Sequence, residues 1–330
     1  MANAELMAEI IRGDMVESRH TGHAVVVDGN GTVLEAWGNP DEVIFPRSSA
    51  KMLQALPLLE SGAGDTLSPE RLALACASHR GERQHVDRVS DWLDELELTE
   101  ENLFCGPQAS RDRALRHEMI RAGHAPGRVF NNCSGKHTGF LTLAQHLRAG
   151  PDYVDPEHPV QKMVRAAFEE MTGEDSPGFG IDGCSAPNFA TSLSGLARAM
   201  ARFAVAGRSS GARDRAASRL RDAMIAHPEL VAGTGGACTD LMQAADGKAA
   251  VKTGAEGVYV AILPDTCLGV ALKISDGATR AAEIAIAALL VRLGAIERDH
   301  PVARRHLERP IRNWDGVITG TERAAPGLAG

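Results

Sequence analysis

The chain of 330 residues carries a formal net charge of -8, with 44% hydrophobic and 24% charged residues, a composition that buries a sizeable core and allows roughly two domains or one large one. The acidic balance argues against a broad phosphate-neutralising surface, and so against nucleic acid as a partner. No apolar run reaches the ~20 residues that span a bilayer, and Met1 to Glu17 lacks the apolar stretch of a secretory leader, so the expectation is a cytoplasmic protein without membrane association. Six cysteines, at Cys76, Cys105, Cys133, Cys184, Cys238 and Cys267, lie far apart with no C-x-x-C pair, which excludes a disulfide scaffold.

In chain order, the first element is a hairpin over His23 to Trp37. Its apolar runs Ala24 to Val27 and Thr32 to Leu34 flank the turn-forming Asp28-Gly29-Asn30-Gly31. A helical middle follows, with apolar positions at helical spacing in Lys51 to Leu59, Pro159 to Met171, Leu193 to Ala204 and Ala216 to Ile225. Gly207 to Gly211 reads as a surface loop within it. A second hairpin joins Val258 to Leu263 with Leu268 to Ile274 around Pro264-Asp265, and Ala281 to Leu293 reads as a last helix. The tail from Thr321 to Gly330 is expected to fray. Strands at both ends around a helical middle predict an α+β fold, a single unit over residues 1–330 with a helical subregion inserted between terminal sheet segments.

Several segments put small residues beside a nucleophile, a cation or a thiol. In Pro46-Arg47-Ser48-Ser49-Ala50-Lys51, Ser48 precedes Lys51 by one helical turn where a loop enters a helix. A serine hydroxyl is too weak an acid to attack an amide unaided, and a desolvated lysine can accept its proton. The bland alternative makes Ser48 an N-cap and Lys51 a solvated helix residue. Lys252-Thr253-Gly254 precedes a strand, as the K-T-G triplet does beside S-x-x-K in penicillin-recognising serine enzymes. The remaining segments are Cys76 to Glu82, containing Ser78 and His79, then Asn131 to His137, and Gly180 to Asn188. Cys133, Lys136 and Cys184 form a candidate soft-ligand set, although their spacing matches no ordinary zinc site. His79 and His137 are candidate ligands or proton carriers, or hydrogen-bonded structural histidines.

As an ordered set, these segments resemble the L-asparaginase II family of the Rhizobium type (class 3), from about Thr21 to Asn313-Trp314-Asp315-Gly316. The resemblance implies a serine β-lactamase- and glutaminase-like fold, an α/β region beside a helical region, and a homodimer. It implies that Ser48 and Lys51 are one catalytic pair, Ser78 and Lys252 a second, and Arg47 and Asp182 the substrate-positioning charges. Cys133, Lys136 and Cys184 would be ligands of Zn2+, with His137 and Cys238 close to the site. The expected activity is hydrolysis of L-asparagine to aspartate and ammonia. The alternatives are a related glutaminase or β-lactamase-like amide hydrolase, or a catalytically silent zinc or amino-acid sensor. The S-D-N triplet of β-lactamases is absent, Ser90-Asp91-Trp92 being as near as the chain comes.

Overall fold

The computed structural model describes residues 3–329. Its strands are β1 (Glu5–Arg12), β2 (Met15–Asp28), β3 (Val33–Trp37), β4 (Val43–Ile44), β5 (Phe179–Ile181), β6 (Pro187–Phe189), β7 (Thr191–Ser192), β8 (Ala250–Thr253), β9 (Val258–Leu263), β10 (Leu268–Ile274), β11 (Glu308–Arg312) and β12 (Ile318–Ala324). The helices are α1 (Lys51–Glu60), α2 (Pro69–Ala75), α3 (Arg83–Glu95), α4 (Arg113–Arg121), α5 (Ser134–His146), α6 (Pro159–Thr172), α7 (Leu193–Val205), α8 (Ala212–Ala226), α9 (Pro228–Ala232), α10 (Ala237–Ala245), α11 (Thr279–Arg292), α12 (Pro301–Leu307) and α13 (Pro326–Ala329). The chain divides into two compact units: one comprises the chain up to Ser49, Thr191–Val205 and everything from Asp240, and the other Ala50–Ala190 with Ala206–Thr239.

The first unit is built on an antiparallel sheet in the order β11-β12-β1-β2-β10-β9-β8, with β3 also paired to β2. Both expected hairpins are present and join this sheet. The turn after β2 is fixed by Asp28, whose carboxylate accepts the Asn30 and Thr32 amides at 2.9 Å each, and by Gly31 at φ 87°, a left-handed conformation that glycine adopts without a Cβ penalty. Strand β9 is buried at every position, so both faces of the sheet are covered there. Helix α7 packs on β2, β9 and β10, and α11 on β1, β9, β10 and β12. At Gly269 a Cβ would overlap the Ala201 amide nitrogen and the Ala197 carbonyl of α7. A glycine in the strand thus lets the helix backbone rest directly on the sheet.

The second unit is helical. Helix α1 is buried from Lys51 through Leu59, packed by α5, α6 and α8; a helix apolar on all sides has to be an interior one. Its neighbour α6 carries clear local signals of its own, with Pro159 in its first turn and Gly173 at φ 71° as its C-cap. The short β5–β6 hairpin places Asp182 to Ser185 in its turn, closed by the Ser185 amide on the Asp182 carbonyl at 2.8 Å.

Two differences from the sequence reading are clear. Strands β1, β4 to β8, β11 and β12 were not anticipated. The tail expected to fray from Thr321 continues β12 to Ala324, paired with β1 and β11, and ends in α13 with Leu328 fully buried; burial of that leucine and the strand pairing outweigh the small-residue composition. Among the described residues no helix is long and apolar enough to cross a membrane.

Replacing Gly269 by alanine should destabilise the protein by about 1–3 kcal/mol, the usual cost of overpacking, lowering the melting temperature by a few degrees. Gly150→Ala, where a Cβ would meet nothing within 4 Å, should melt like wild type. Equal melting temperatures in both variants would contradict the close approach of α7.

Candidate active site

Lys51 opens α1 and is 1% exposed. Its ammonium donates to the Ala77 carbonyl at 2.5 Å, the Ser78 hydroxyl at 3.0 Å and the Asn132 carbonyl at 3.3 Å. Three N–H groups meet three acceptors, which is what a buried lysine requires. Ser78 follows the end of α2, is half-buried, and is held by its own amide on the Val231 carbonyl at 2.9 Å. Within this unit the fold therefore brings together one lysine and one serine of the expected catalytic set, a Ser-Lys contact that sequence spacing did not name.

A second cluster lies in the same unit. Gly135 packs α5 so closely on the end of α2 that a Cβ would stand 2.5 Å from the Leu74 carbonyl. The segment Cys133 to His137 is thereby set beside the Ser78 loop. Lys136, 3% exposed, donates to the Cys184 sulfur at 3.1 Å. A hydrogen bond from Cys133, reinforced by the Lys136 ammonium, holds the Cys184 thiol below its ordinary range. Cys133 is raised by the same bond and by burial. Burial alone would lower Lys136, but the Cys184 and Cys133 sulfurs outweigh it and its pKa is raised. Asp182, half-buried, adds to that field.

His137 is neutral, its pKa held down at about 4 by burial. Its Nδ1 bonds the Tyr153 hydroxyl at 2.9 Å, and that hydroxyl accepts the Phe104 amide at 2.7 Å. Its Nε2 is buried, near Cys184 but outside hydrogen-bonding geometry. His79 is a structural link. It accepts the Gly81 amide at 3.1 Å, bonds the Ser134 hydroxyl at 2.9 Å and stacks on His85, and burial holds its pKa well down. Cys238 is buried in the first turn of α10.

Whether the thiol cluster suits a metal can be judged from its donors. Cys133, Lys136 and Cys184 converge, with an unpartnered buried ring nitrogen on His137 nearby. Among the described residues no three His, Cys, Asp or Glu side chains group as metal ligands do, so a bound ion would take Lys136, once deprotonated, as its third protein donor. On that basis the donor set fits a soft divalent ion.

The first unit holds the other expected residues. Ser48 is half-buried in a 3-10 turn over Arg47–Ala50, and Arg47 has φ 53°, an uncommon conformation for a residue with a Cβ. Both the amide and the hydroxyl of Ser49 bond the Pro46 carbonyl, at 3.2 and 2.7 Å. Gly254 lies against this turn, where a Cβ would come 2.5 Å from the Pro46 carbonyl and 3.3 Å from the Ser49 Cβ. The K-T-G triplet is thus packed on the Ser48 turn through its glycine. Lys252, wholly buried, donates to the Thr253 carbonyl at 2.8 Å. Sequence reasoning missed Tyr153; a lone tyrosine in a Pro-Asp loop carries no pattern, and only the fold aims its hydroxyl at His137.

The architecture is α+β. The model of the L-asparaginase II family matches residues 8–324. The chain belongs to the L-asparaginase II family, whose members are amidohydrolases. No curated protein matches it. Among solved structures it is similar to Mglu in its native form, at 12% identity and TM-score 0.48, over 85% of this chain and 66% of that one; it therefore spans less than two thirds of the Mglu chain. It is also similar to a putative beta-lactamase from Bacteroides dorei, at 13% identity and TM-score 0.43 over 77% of this chain and 84% of that one. A beta-lactamase from Mycobacterium bovis is similar at 14% identity and TM-score 0.42, over 83% and 95% of the respective chains.

Tyr153→Phe should lower stability by about 1–3 kcal/mol, because it leaves the half-buried Phe104 amide and the buried His137 Nδ1 without the tyrosine hydroxyl. Thermal melting reads this directly, and an unchanged melting temperature would show that the hydroxyl is not part of the cluster's support.

Proposed function

We propose that this chain hydrolyses the side-chain amide of L-asparagine to aspartate and ammonia. The family match over residues 8–324 carries the substrate class, and the contact of the buried Lys51 with Ser78 at 3.0 Å supports serine nucleophilic catalysis. Ser48 attacks the amide carbon while Lys51, as the neutral amine when substrate binds, accepts its proton. The C–N bond then breaks as ammonia takes up a proton relayed through Ser78 and Lys252, and water opens the acyl-serine. Arg47 and Asp182 are the charge partners of the substrate's carboxylate and ammonium. The Lys51–Ser78 contact also favours a second assignment, in which Ser78 is the acylated serine and Ser48 the relay.

Cys133, Lys136 and Cys184 would hold Zn2+, which when bound supplies a Lewis-acid centre. The cluster's own residues set its requirements. Cys184 is already inclined to the thiolate, whereas Cys133 and Lys136 each have to give up a proton. The reading also includes a homodimer, supported by the resemblance, and a cytoplasmic location, and gel filtration with light scattering tests the dimer.

The purified protein should release ammonia from asparagine ~10–200-fold faster than from glutamine, the discrimination one methylene affords in a fitted pocket, and should not open a penicillin ring; faster turnover of a β-lactam would sink the reading. Ser48→Ala and Lys51→Ala should each lower kcat by at least ~100-fold. Ser48→Ala with near-normal activity and Ser78→Ala with none would select the second assignment.

The metal reading has its own measurement. About one zinc ion should accompany each chain, and Cys133→Ser or Cys184→Ser should lose it, a neutral hydroxyl being a much poorer ligand than a thiolate. Unchanged zinc content by elemental analysis in both variants would mean the ligands lie elsewhere.

A further inference from the structure

Glu82, at the start of α3, is a buried carboxylate to which the reaction above gives no part. Taking such a group out of water is costly unless donors surround it. Its Oε1 accepts the Thr234 amide at 2.8 Å, and its Oε2 accepts the Thr234 hydroxyl at 3.0 Å and the Gln84 side-chain amide at 2.6 Å. The Arg80 guanidinium stands 3.8 Å from Oε1, and the Arg80 stem lies on Gly233, where a Cβ would overlap it. An ionised carboxylate accepts at both oxygens, whereas a glutamine would turn an NH₂ toward one of these donors. The acid is therefore matched to the loop from Gly233 to Gly236 that follows α9.

Helix α9 is tied to α3 a second time. His85 accepts the Glu82 amide on Nδ1 at 3.2 Å, which places the ring proton on Nε2, and Nε2 donates to the Glu229 carbonyl at 2.9 Å. Burial holds the His85 pKa down, in keeping with the neutral ring. The start of α3 thus holds the α9 segment at Glu229 and at Thr234, on either side of Val231. The Val231 carbonyl in turn accepts the Ser78 amide at 2.9 Å. The neighbours of Ser78 are held from another direction: the Ala77 carbonyl takes the Lys51 ammonium, and the His79 amide bonds the Asn132 carbonyl at 3.2 Å. The lysine side of the Lys51–Ser78 contact is set by α1, α2 and the loop before α5, and the serine side by α9.

We infer that Glu82 is a positioning residue for Ser78, holding the serine against Lys51 through Thr234 and α9. For its effect on rate this rests on the proposed function, and it applies whether Ser78 is the relay or the acylated serine. Misplacing a reacting group by about 1 Å can cost on the order of 100-fold in rate, so a loop that fixes the serine's backbone acts on turnover more than on substrate affinity.

Hydrogen exchange of the full chain, read by mass spectrometry on the segment containing Ser78, follows the geometry without turnover. Exchange there should be at least ~10-fold faster in Glu82→Gln and in Thr234→Val than in wild type. Thr234→Val leaves the start of α3 untouched and serves if Glu82→Gln fails to fold. With asparagine, Glu82→Gln should lower kcat at least ~10-fold and Thr234→Val at least ~3-fold, with KM within ~3-fold of wild type, and Thr234→Ser, which keeps the hydroxyl, should restore the rate. Wild-type exchange around Ser78 in the folded variants overturns the assignment. Faster exchange in the variants of a protein that releases no ammonia keeps the Glu82–Ser78 link and fails the proposed reaction. Ammonia release at wild-type kcat in both variants keeps the reaction and removes Glu82 from it.

Discussion

The second unit is organised around the buried Lys51. Moving an ammonium out of water costs several kcal/mol even after relaxation, and α1 begins with such a group in a setting otherwise apolar on all sides. The only acceptable solution is to surround it with acceptors, and the chain supplies them from three places: the end of α2 through Ala77, the following residue Ser78, and the loop before α5 through Asn132. Those bonds fix where Ser78 stands. They also fix the residue immediately before Cys133, so that the thiol cluster inherits its position from the same lysine. Gly135 completes the arrangement by letting α5 close on the Leu74 carbonyl. Removing the lysine would take from the Ala77 carbonyl its lysine donor, while the Asn132 carbonyl keeps the His79 amide at 3.2 Å, so the lysine has a structural part as well as a chemical one.

The parts legible in the sequence were those whose signal is local. Asp28-Gly29-Asn30-Gly31 encodes its turn through the side chain of Asp28 and the left-handed glycine, and the apolar runs on either side needed only the alternative of strand pairing. Helices α1, α6, α7, α8 and α11 were visible from periodicity because each buries a wide face. Strands β11 and β12 were not, since β11 is exposed or half-exposed throughout and carries no apolar alternation to read. Strand β1 begins Glu-Leu-Met-Ala-Glu, a sequence equally suited to a helix; its pairing with β2 and β12 decides the matter. The same distinction holds in the site. Motif composition pointed to Ser48, Lys51, Ser78 and Lys252, but which lysine touches Ser78 depends on a contact spanning 27 residues, from Lys51, and no spacing rule contains it.

Backbone strain separates ordinary positions from those held for a purpose. Among the described residues, non-glycine residues with positive φ are Arg47, Glu97, Arg148, Ser185, Asp246, Glu256 and Cys267. Glu97, Arg148 and Asp246 come just after α3, α5 and α10, where a left-handed residue is the usual way to end a helix. Cys267 closes the β9–β10 hairpin, its amide on the Pro264 carbonyl at 3.3 Å. The remaining three have no such helix to end. Arg47 precedes Ser48, Ser185 follows Cys184, and Glu256 lines a cavity of the first unit with Arg47 and Lys273. A conformation that costs on the order of 1–3 kcal/mol persists only where the surroundings over-determine it. Around Arg47 they do: Gly254 presses β8 against the turn, and both Ser49 bonds return to Pro46. Around Ser185 the Asp182 and Ala186 backbone bonds, at 2.8 and 3.0 Å, pin the turn that presents Cys184 to Lys136. Around Arg47 and Ser185, the packing that tolerates strain is therefore the packing that sets the turns carrying Ser48 and Cys184.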